Sequence, residues 1–402
     1  MSEATGRVRI VEKALEAGNG ILRCDPAWVA RSFLPAGRRL GLLEDQYDVG
    51  ERGEISERWL CSTTKAANAI GPEDEGLSYI QLPDGGKMLL AEAVTVAGPM
   101  IIGGDYAKAH GNTLGRLAKV YDFACRIPYH IHQRKQDVAK LGRNSKEEAY
   151  YFPEGVDLGA HPETFFGVHP YIVREGKQDI LLPYLQDWSD DRILMHSRAY
   201  LLVPGEGFHL PSGVLHAPGT AVTIELQEDS DVFAMLQALV GGKIISKDLL
   251  FHDVHPDDQA AKGERAVLDQ VDWEISGDPF FYENRHTPPV LVESTRQAGG
   301  EECWIYYNTA KFSGKRLVVQ PGKTFTSTEK GVYSILVQQG KGTYGGLEIE
   351  AGNLGLDELV VSHARATQPL EVVNTGTEPL AVIKFFGPDI NLDVPMLPKY
   401  PG

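Results

Sequence analysis

A mainly β protein, with two double-stranded (jelly-roll) barrels in one chain and additional helices in the N-terminal half, is the fold this sequence predicts. Three features predict it. Short strand-like runs separated by Gly- and Pro-containing turns recur along the chain. Two of those turns lie among histidines and a glutamate at regular spacing, and residues 290–402 are β-rich and punctuated by glycine. A chain of 402 residues is long enough for more than one core. The expected division is residues 1–284 as a metal-binding barrel with helical additions and 285–402 as a degenerate barrel without metal, the boundary falling around Tyr282–Pro289.

Composition narrows the function. With 42% hydrophobic and 23% charged residues the chain reads as an ordinary soluble globular protein. A net charge of −16 argues against nucleic acid or a membrane surface as partner, while a few local cations would still admit an anionic small molecule. Cys24, Cys61, Cys125 and Cys303 are scattered without CxxC spacing, which fits neither a disulfide framework nor a thiolate site and suits a reducing compartment. Met1-Ser2-Glu3-Ala4 begins no signal pattern, and no apolar run reaches membrane-spanning length. A cytoplasmic protein is expected.

Taken in order, the first helix is expected over Val8–Ala17, stopped by Gly18-Asn19-Gly20. Residues 40–75 are polar, with Trp59 standing out as a core or lid residue. Leu77–Leu82 is a strand ending in the turn Pro83-Asp84-Gly85-Gly86. Leu114–Phe123 leads into Pro128-Tyr129-His130-Ile131-His132, where residues two apart on a strand point both imidazoles to one side. An insertion, Gln133–Glu147, carries Arg134, Lys135, Lys140, Arg143 and Lys146, a cationic loop suited to an anionic ligand or simply to solvent. Glu148 follows. A helix is expected over Gln178–Leu185 and strands over Ala199–Val203, Ala221–Gln227 and Val232–Leu239. His216 closes a Gly- and Pro-rich turn that starts at Gly205. The tract Phe251–Asp258 contains His252 and His255 but lacks a supporting ligand, and is expected to cap a helix over Asp258–Val271. In the last third, strands are expected at 316–319, 332–337, 343–346, 359–362, 370–374 and 380–386.

His130, His132, Glu148 and His216 form a ligand set suited to one divalent first-row metal ion, zinc first, with iron, manganese or nickel as alternatives. The spacing sharpens this. Glu148, six residues and Gly155 repeat the second half of the first cupin motif, to which the His-x-His supplies the first half. Gly205, five residues, Pro211-x-Gly213, two residues and His216 repeat the second cupin motif. In the last third, aligning Gly340 with Gly155 puts Tyr333 where Glu148 stands, with no His-x-His before it.

Further motifs, in order, make the chain resemble the type I phosphomannose isomerases. Glu57-Arg58-Trp59 looks like the early Glu-x-Trp of that family, and Gly115–Asp122 is similar to its segment before the metal strand. Lys146-x-Glu148 matches its Lys-x-Glu; His161-Pro162-Glu163 matches its His-Lys-Pro-Glu without the lysine. Pro204–Gly207, Leu215-His216-Ala217 and Glu225–Asp231 continue the match. The resemblance implies a zinc-dependent aldose–ketose isomerase with a second cupin domain, in which Glu148 binds metal and Lys146 lies near the reacting sugar. Two departures stand out: His130 occupies the place of the family's usual Gln, and Met235 stands where its active-site arginine is expected.

Such an isomerisation moves a proton between adjacent carbons through an enediol(ate), which requires a base and positive charge at the developing oxyanion. Lys146 is the expected cation, its pKa lowered by desolvation, and Glu163, Glu225, His209 and a metal-bound hydroxide are the candidate bases, undecided among themselves. The expected partner is a sugar or sugar phosphate. Activity on mannose 6-phosphate should be weak or absent unless another cation, Arg134, Lys135 or Arg143 being available, replaces the missing arginine. A metal-dependent oxygenase and a non-catalytic sugar-binding protein are the competing readings. A homodimer through sheet edges is also expected.

Overall fold

The computed structural model describes residues 3–401 and is mainly β, with two barrels, each formed by two antiparallel sheets. In the first barrel a seven-stranded sheet runs His286–Thr287, Gly207–Leu210, Glu148–Tyr151, Thr223–Gln227, Leu117–Tyr121, Glu54–Leu60, Ala27–Arg31. The opposing five-stranded sheet runs Arg198–Leu201, Glu163–Phe166, His216–Ala217, His130–Ile131, Ala234–Met235. Aromatic contacts such as Phe166 on Phe208, with ring centroids 4.9 Å apart, close one sheet on the other.

The seven-stranded sheet is buried on both faces, and strand alternation divides its labour. Lys119, Tyr121, Glu148, Tyr150 and Glu225 share the inner face by register, Glu225 standing opposite both Tyr150 and Lys119. The intervening Ala118, Ala149, Tyr151, Ile224 and Leu226 pack outward on Ile305, Tyr306, Leu336, Ile383 and Phe385 of the second barrel. One sheet therefore carries a polar interior and an apolar interdomain core at once. Arg58, on the outer side, is buried and bridges to Asp357 at 2.7 Å and to Glu358.

The second barrel pairs a seven-stranded sheet, which includes Glu358–Val361, Tyr333–Gln339 and Leu380–Phe386, with the four-stranded sheet Thr324–Ser327, Leu370–Asn374, Lys341–Tyr344, Leu347–Glu350. Tyr333 opens a strand flanked by 358–361 and 380–386, as Glu148 opens one flanked by 207–210 and 223–227. Its interior holds paired charges as well as apolar side chains. Buried Lys384 binds Glu302, Glu329 (2.7 Å) and the Ser327 hydroxyl (2.7 Å), Lys315 binds Glu329 at 2.8 Å, and the Tyr333 and Tyr344 hydroxyls are 2.8 Å apart. Two lysines there balance two glutamates.

The N-terminal helix spans Glu3–Ala17, and the next, Leu90–Ile102, bends at Ala97 two residues before Pro99. Both helices bury their apolar faces in the core of the second barrel, and Ile21–Arg23 adds a strand to that barrel's sheet beside Glu358–Val361. The chain thus starts on the far barrel before building the near one. Some local expectations change. The helix expected over Asp258–Val271 is broken into Pro256–Lys262 and Arg265–Leu268 by Gly263, whose φ of +56° is left-handed. Of Val232–Leu239 only Ala234–Met235 joins the barrel sheet, and Gln178–Leu185 begins as a 3-10 turn. The Gln133–Glu147 insertion folds into the one-turn helix Lys135–Val138 and a further 3-10 turn. No helix among the described residues is long and apolar enough to cross a membrane.

Candidate metal centre

His130 and His216 are antiparallel partners in the five-stranded sheet, and His132 follows just past the end of the same short strand. Their rings cluster, with centroids 3.9 Å apart for His130 and His216, 4.9 Å for His130 and His132, and 5.0 Å for His132 and His216. Each ring is held from behind by a main-chain carbonyl: Nδ1 lies 2.7 Å from Pro128 O in His130, 2.7 Å from Val232 O in His132 and 2.8 Å from Val214 O in His216. A nitrogen facing a carbonyl must carry the proton, which leaves the lone pair on Nε2. The three ligand nitrogens lie within 4.8 Å of one another, a group able to hold a metal ion.

Glu148 reaches the same point from the opposite sheet, its carboxylate oxygens 2.9 Å from His132 Nε2 and 3.1 Å from His216 Nε2. The Tyr150 hydroxyl donates to it. His216 Nε2 is buried without a hydrogen-bond partner, whereas Glu148 Oε2 and His132 Nε2 each lie 3.1 Å from Lys146 Nζ. Lone pairs aimed at one another in a dry interior repel, and a divalent cation is the simplest species to reconcile them. The donor set therefore fits a metal ion. Burial pushes the His130 and His132 rings toward their neutral, ligating form, His132 down to about 4.

From this point a chain of alternating charges crosses the cleft floor. Lys146 Nζ is 3.1 Å from Glu148 and 3.4 Å from Glu225; Lys119 is 3.4 Å from Glu225 and 3.5 Å from Glu57; Arg31 is 2.8 Å from Glu57 and 3.0 Å from Asp231. Burial pushes the Glu57 carboxyl up, but Arg31 and Lys119 outweigh it and hold the group at about 2. Burial and the neighbouring Glu148 push Glu225 the other way, to about 7, and its Oε1 has no hydrogen-bond partner. The expectation of a depressed Lys146 is overturned. Burial does lower its pKa, but Glu148 and Glu225 more than reverse this, so the ammonium is kept charged.

The remaining lining is apolar or aromatic. Phe33, Phe123, Ile127, Pro218, Phe233 and Met235 wall a cleft of about 450 Å³, measured with its open mouth. Phe33 and Ile127 are half-exposed and mark the open side.

Of the sequence-derived candidates, Lys146 and Glu225 line this cleft with His130, His132 and Glu148, and Glu163 and His209 do not. Glu163, on the five-stranded sheet, is paired with Arg126. His209 stands opposite Ala149, on the outer face of its sheet, and is held by Glu147 at 2.9 Å and by Asn308 of the second barrel at 3.1 Å. Both were placed by motif proximity, and strand parity sends His209 outward. The insertion's arginines are also elsewhere: Arg134 is 2.7 Å from Asp137, and Arg143 is closed on Asp253. Met235 does line the cleft. Arg31, Glu57, Lys119 and Asp231 had no assigned role from sequence. The signal for Lys119 was its place between Leu117 and Tyr121 in a strand-like run.

No protein-family model matches the chain, and no curated protein matches it. Solved structures do. The chain is similar to the mannose 6-phosphate isomerase from Bacillus subtilis, at 14% identity and a TM-score of 0.58 over 91% of this chain and 99% of that one. It is similar to a variant of the phosphomannose isomerase from Salmonella typhimurium, at 12% identity and a TM-score of 0.61 over 92% and 100%. A zinc-bound mannose 6-phosphate isomerase matches at 13% identity and a TM-score of 0.59 over 92% and 100%. The chain has the fold of these two-barrel enzymes.

Proposed function

We propose that this protein is a metal-dependent aldose–ketose isomerase, with one divalent ion, zinc by preference, held by His130, His132, Glu148 and His216. The observation that carries the reading is the joining of two arrangements in one cleft: lone pairs of three carbonyl-anchored imidazoles converging on Glu148, and the unpartnered Glu225 oxygen beside two lysines. The likeness to zinc-bound mannose 6-phosphate isomerase supports it. When bound, the ion supplies Lewis-acid polarisation of the sugar carbonyl.

The chain's own groups supply the rest. Glu225 removes the proton from the carbon next to the carbonyl and returns it to the former carbonyl carbon through Oε1, the oxygen that faces both lysines, while the neighbouring hydroxyl proton passes to the former carbonyl oxygen. Lys146 and Lys119, both 3.4 Å from Glu225, donate hydrogen bonds to the enediol oxygens as negative charge develops there. Arg31 fixes Glu57 and Asp231, and Glu57 in turn accepts from the Trp59 indole at 2.7 Å, so the floor is held rigid before substrate arrives. Burial of the floor excludes the water that would protonate the intermediate out of place.

The test is proton exchange. Metal-loaded protein incubated with aldoses in deuterated water should incorporate deuterium beside the carbonyl and yield the ketose. Glu225→Gln should lose both at unchanged metal content. Turnover that survives Glu225→Gln, or an absence of both ketose and exchange with every aldose tried, overturns the proposal.

A further inference from the structure

We infer that the cleft takes an unphosphorylated sugar, so that Phe33, Ile127, Phe233 and Met235 select against a phosphate ester. The inference rests on the isomerase reading and specifies its substrate class.

Among the described residues, no cation lining the cleft is without a carboxylate partner. Its lining includes three cations, Arg31, Lys119 and Lys146, and each is engaged with buried carboxylates at 2.8–3.5 Å. Arg31 is 4% exposed and bonds Glu57 and Asp231 through both terminal and inner nitrogens, which leaves no open fork for an incoming anion. Four carboxylates line the same space, Glu57, Glu148, Glu225 and Asp231. The charge of a bound ion would lie among the histidines, where the carbonyl end of a sugar must sit. The other end of the sugar would meet the apolar wall.

Nearby cations outside the cleft are also committed. Arg126 is paired with Glu163 and stacked over Phe165 at 4.5 Å, Arg134 is paired with Asp137, and Arg143 with Asp253. A dianionic phosphate pressed on Phe33, Ile127, Phe233 and Met235 would lose its hydration without compensation. The C–H face of an uncharged sugar suits the same wall, with Phe33 and Phe233 adjacent at 6.3 Å between ring centroids. Its hydroxyls can donate to the fixed carboxylates of the floor, which a phosphate cannot do.

The experiment compares matched pairs. Mannose, glucose, ribose and xylose are each offered to the metal-loaded protein beside the terminal phosphate ester, with inorganic phosphate as competitor. At least one free sugar should exceed its ester in kcat/KM by about tenfold or more, and inorganic phosphate should not compete. Phe33→Lys and Ile127→Lys, which add a cation on the open side, should each move that ratio toward the ester by about tenfold. A wild-type preference for the ester, or competition by inorganic phosphate, overturns the inference. Should nothing turn over, the isomerase proposal fails, and calorimetric binding of the same pairs decides this one. Binding of a free sugar but not its ester sustains it; tighter binding of the ester, or binding of neither, overturns it.

Discussion

At the scale of single residues, the cluster around Glu148 makes a sharp distinction between histidines that look alike in sequence. His216 is 1% exposed with an unpartnered Nε2, whereas His255 caps a helix by accepting from the Asp257 amide at 3.3 Å. His216→Ala should therefore weaken metal binding by more than about 100-fold, the upper range for losing even an outer supporting group, and His255→Ala should leave it unchanged. Metal analysis after equilibrium dialysis checks both. Glu57 gives a pH signature. Its folded-state pKa of about 2 lies below the ordinary 4.5, so its stabilisation is complete above about pH 4.5 and is lost as pH falls through 2. The stability deficit of Glu57→Gln, read by urea unfolding, should be largest above about pH 4.5 and shrink steadily in more acid solution. A deficit independent of pH would show that packing, not charge, holds Glu57. Sequence spacing made the convergence of His130, His132 and His216 legible, because parity and turn glycines act over short distances. It was silent on Arg31, whose partners Glu57 and Asp231 come from strand neighbours and from 200 positions away.

Turns position the site at the scale of elements. Gly213 has φ +85°, its amide donates to His132 O at 2.6 Å, and a Cβ there would meet the Arg134 side chain at 2.9 Å and the Asp272 nitrogen at 3.0 Å. It ties the end of the His132 strand to the turn that delivers His216. Gly213→Ala should destabilise the fold by about 1–3 kcal/mol and reduce metal affinity as well, visible as a lower melting temperature and incomplete loading. The insertion makes the opposite prediction. Arg134 and Arg143 are engaged with Asp137 and Asp253 outside the cleft, so Arg134→Gln and Arg143→Gln should leave KM unchanged for phosphorylated and free sugars alike. A rise in KM for the ester alone would return these residues to substrate binding. Their charge was readable in the sequence. Their direction was not, because it is set by partners more than a hundred residues away in the case of Asp253.

The whole molecule shows why the strands expected after residue 290 could be read while their use could not. Alternation reveals that Tyr333–Gln339 and Leu380–Phe386 are strands, but the buried pairing of Lys384 and Lys315 with Glu302 and Glu329 depends on which strands become neighbours. Likewise, nothing local in Ile21–Arg23 says that it will pair with Glu358–Val361.

That crossing of the chain has a consequence for dissection of the protein. Cut between residues 284 and 285, the first fragment would carry Glu3–Ala17 and Leu90–Ile102 away from the core they cover and bare the aliphatic face of the sheet that bears Glu148. The second fragment would lose an edge strand and expose Ile305, Phe385 and their neighbours. Each fragment alone should aggregate. Produced together in one cell, they should find each other and rebuild a complex that binds metal, as two halves of a broken clasp do. Soluble, metal-loading material from the first fragment alone would show that the second barrel is dispensable. The second barrel is, on this view, the permanent companion chain of the one that holds His130, His132, Glu148 and His216, delivered already attached.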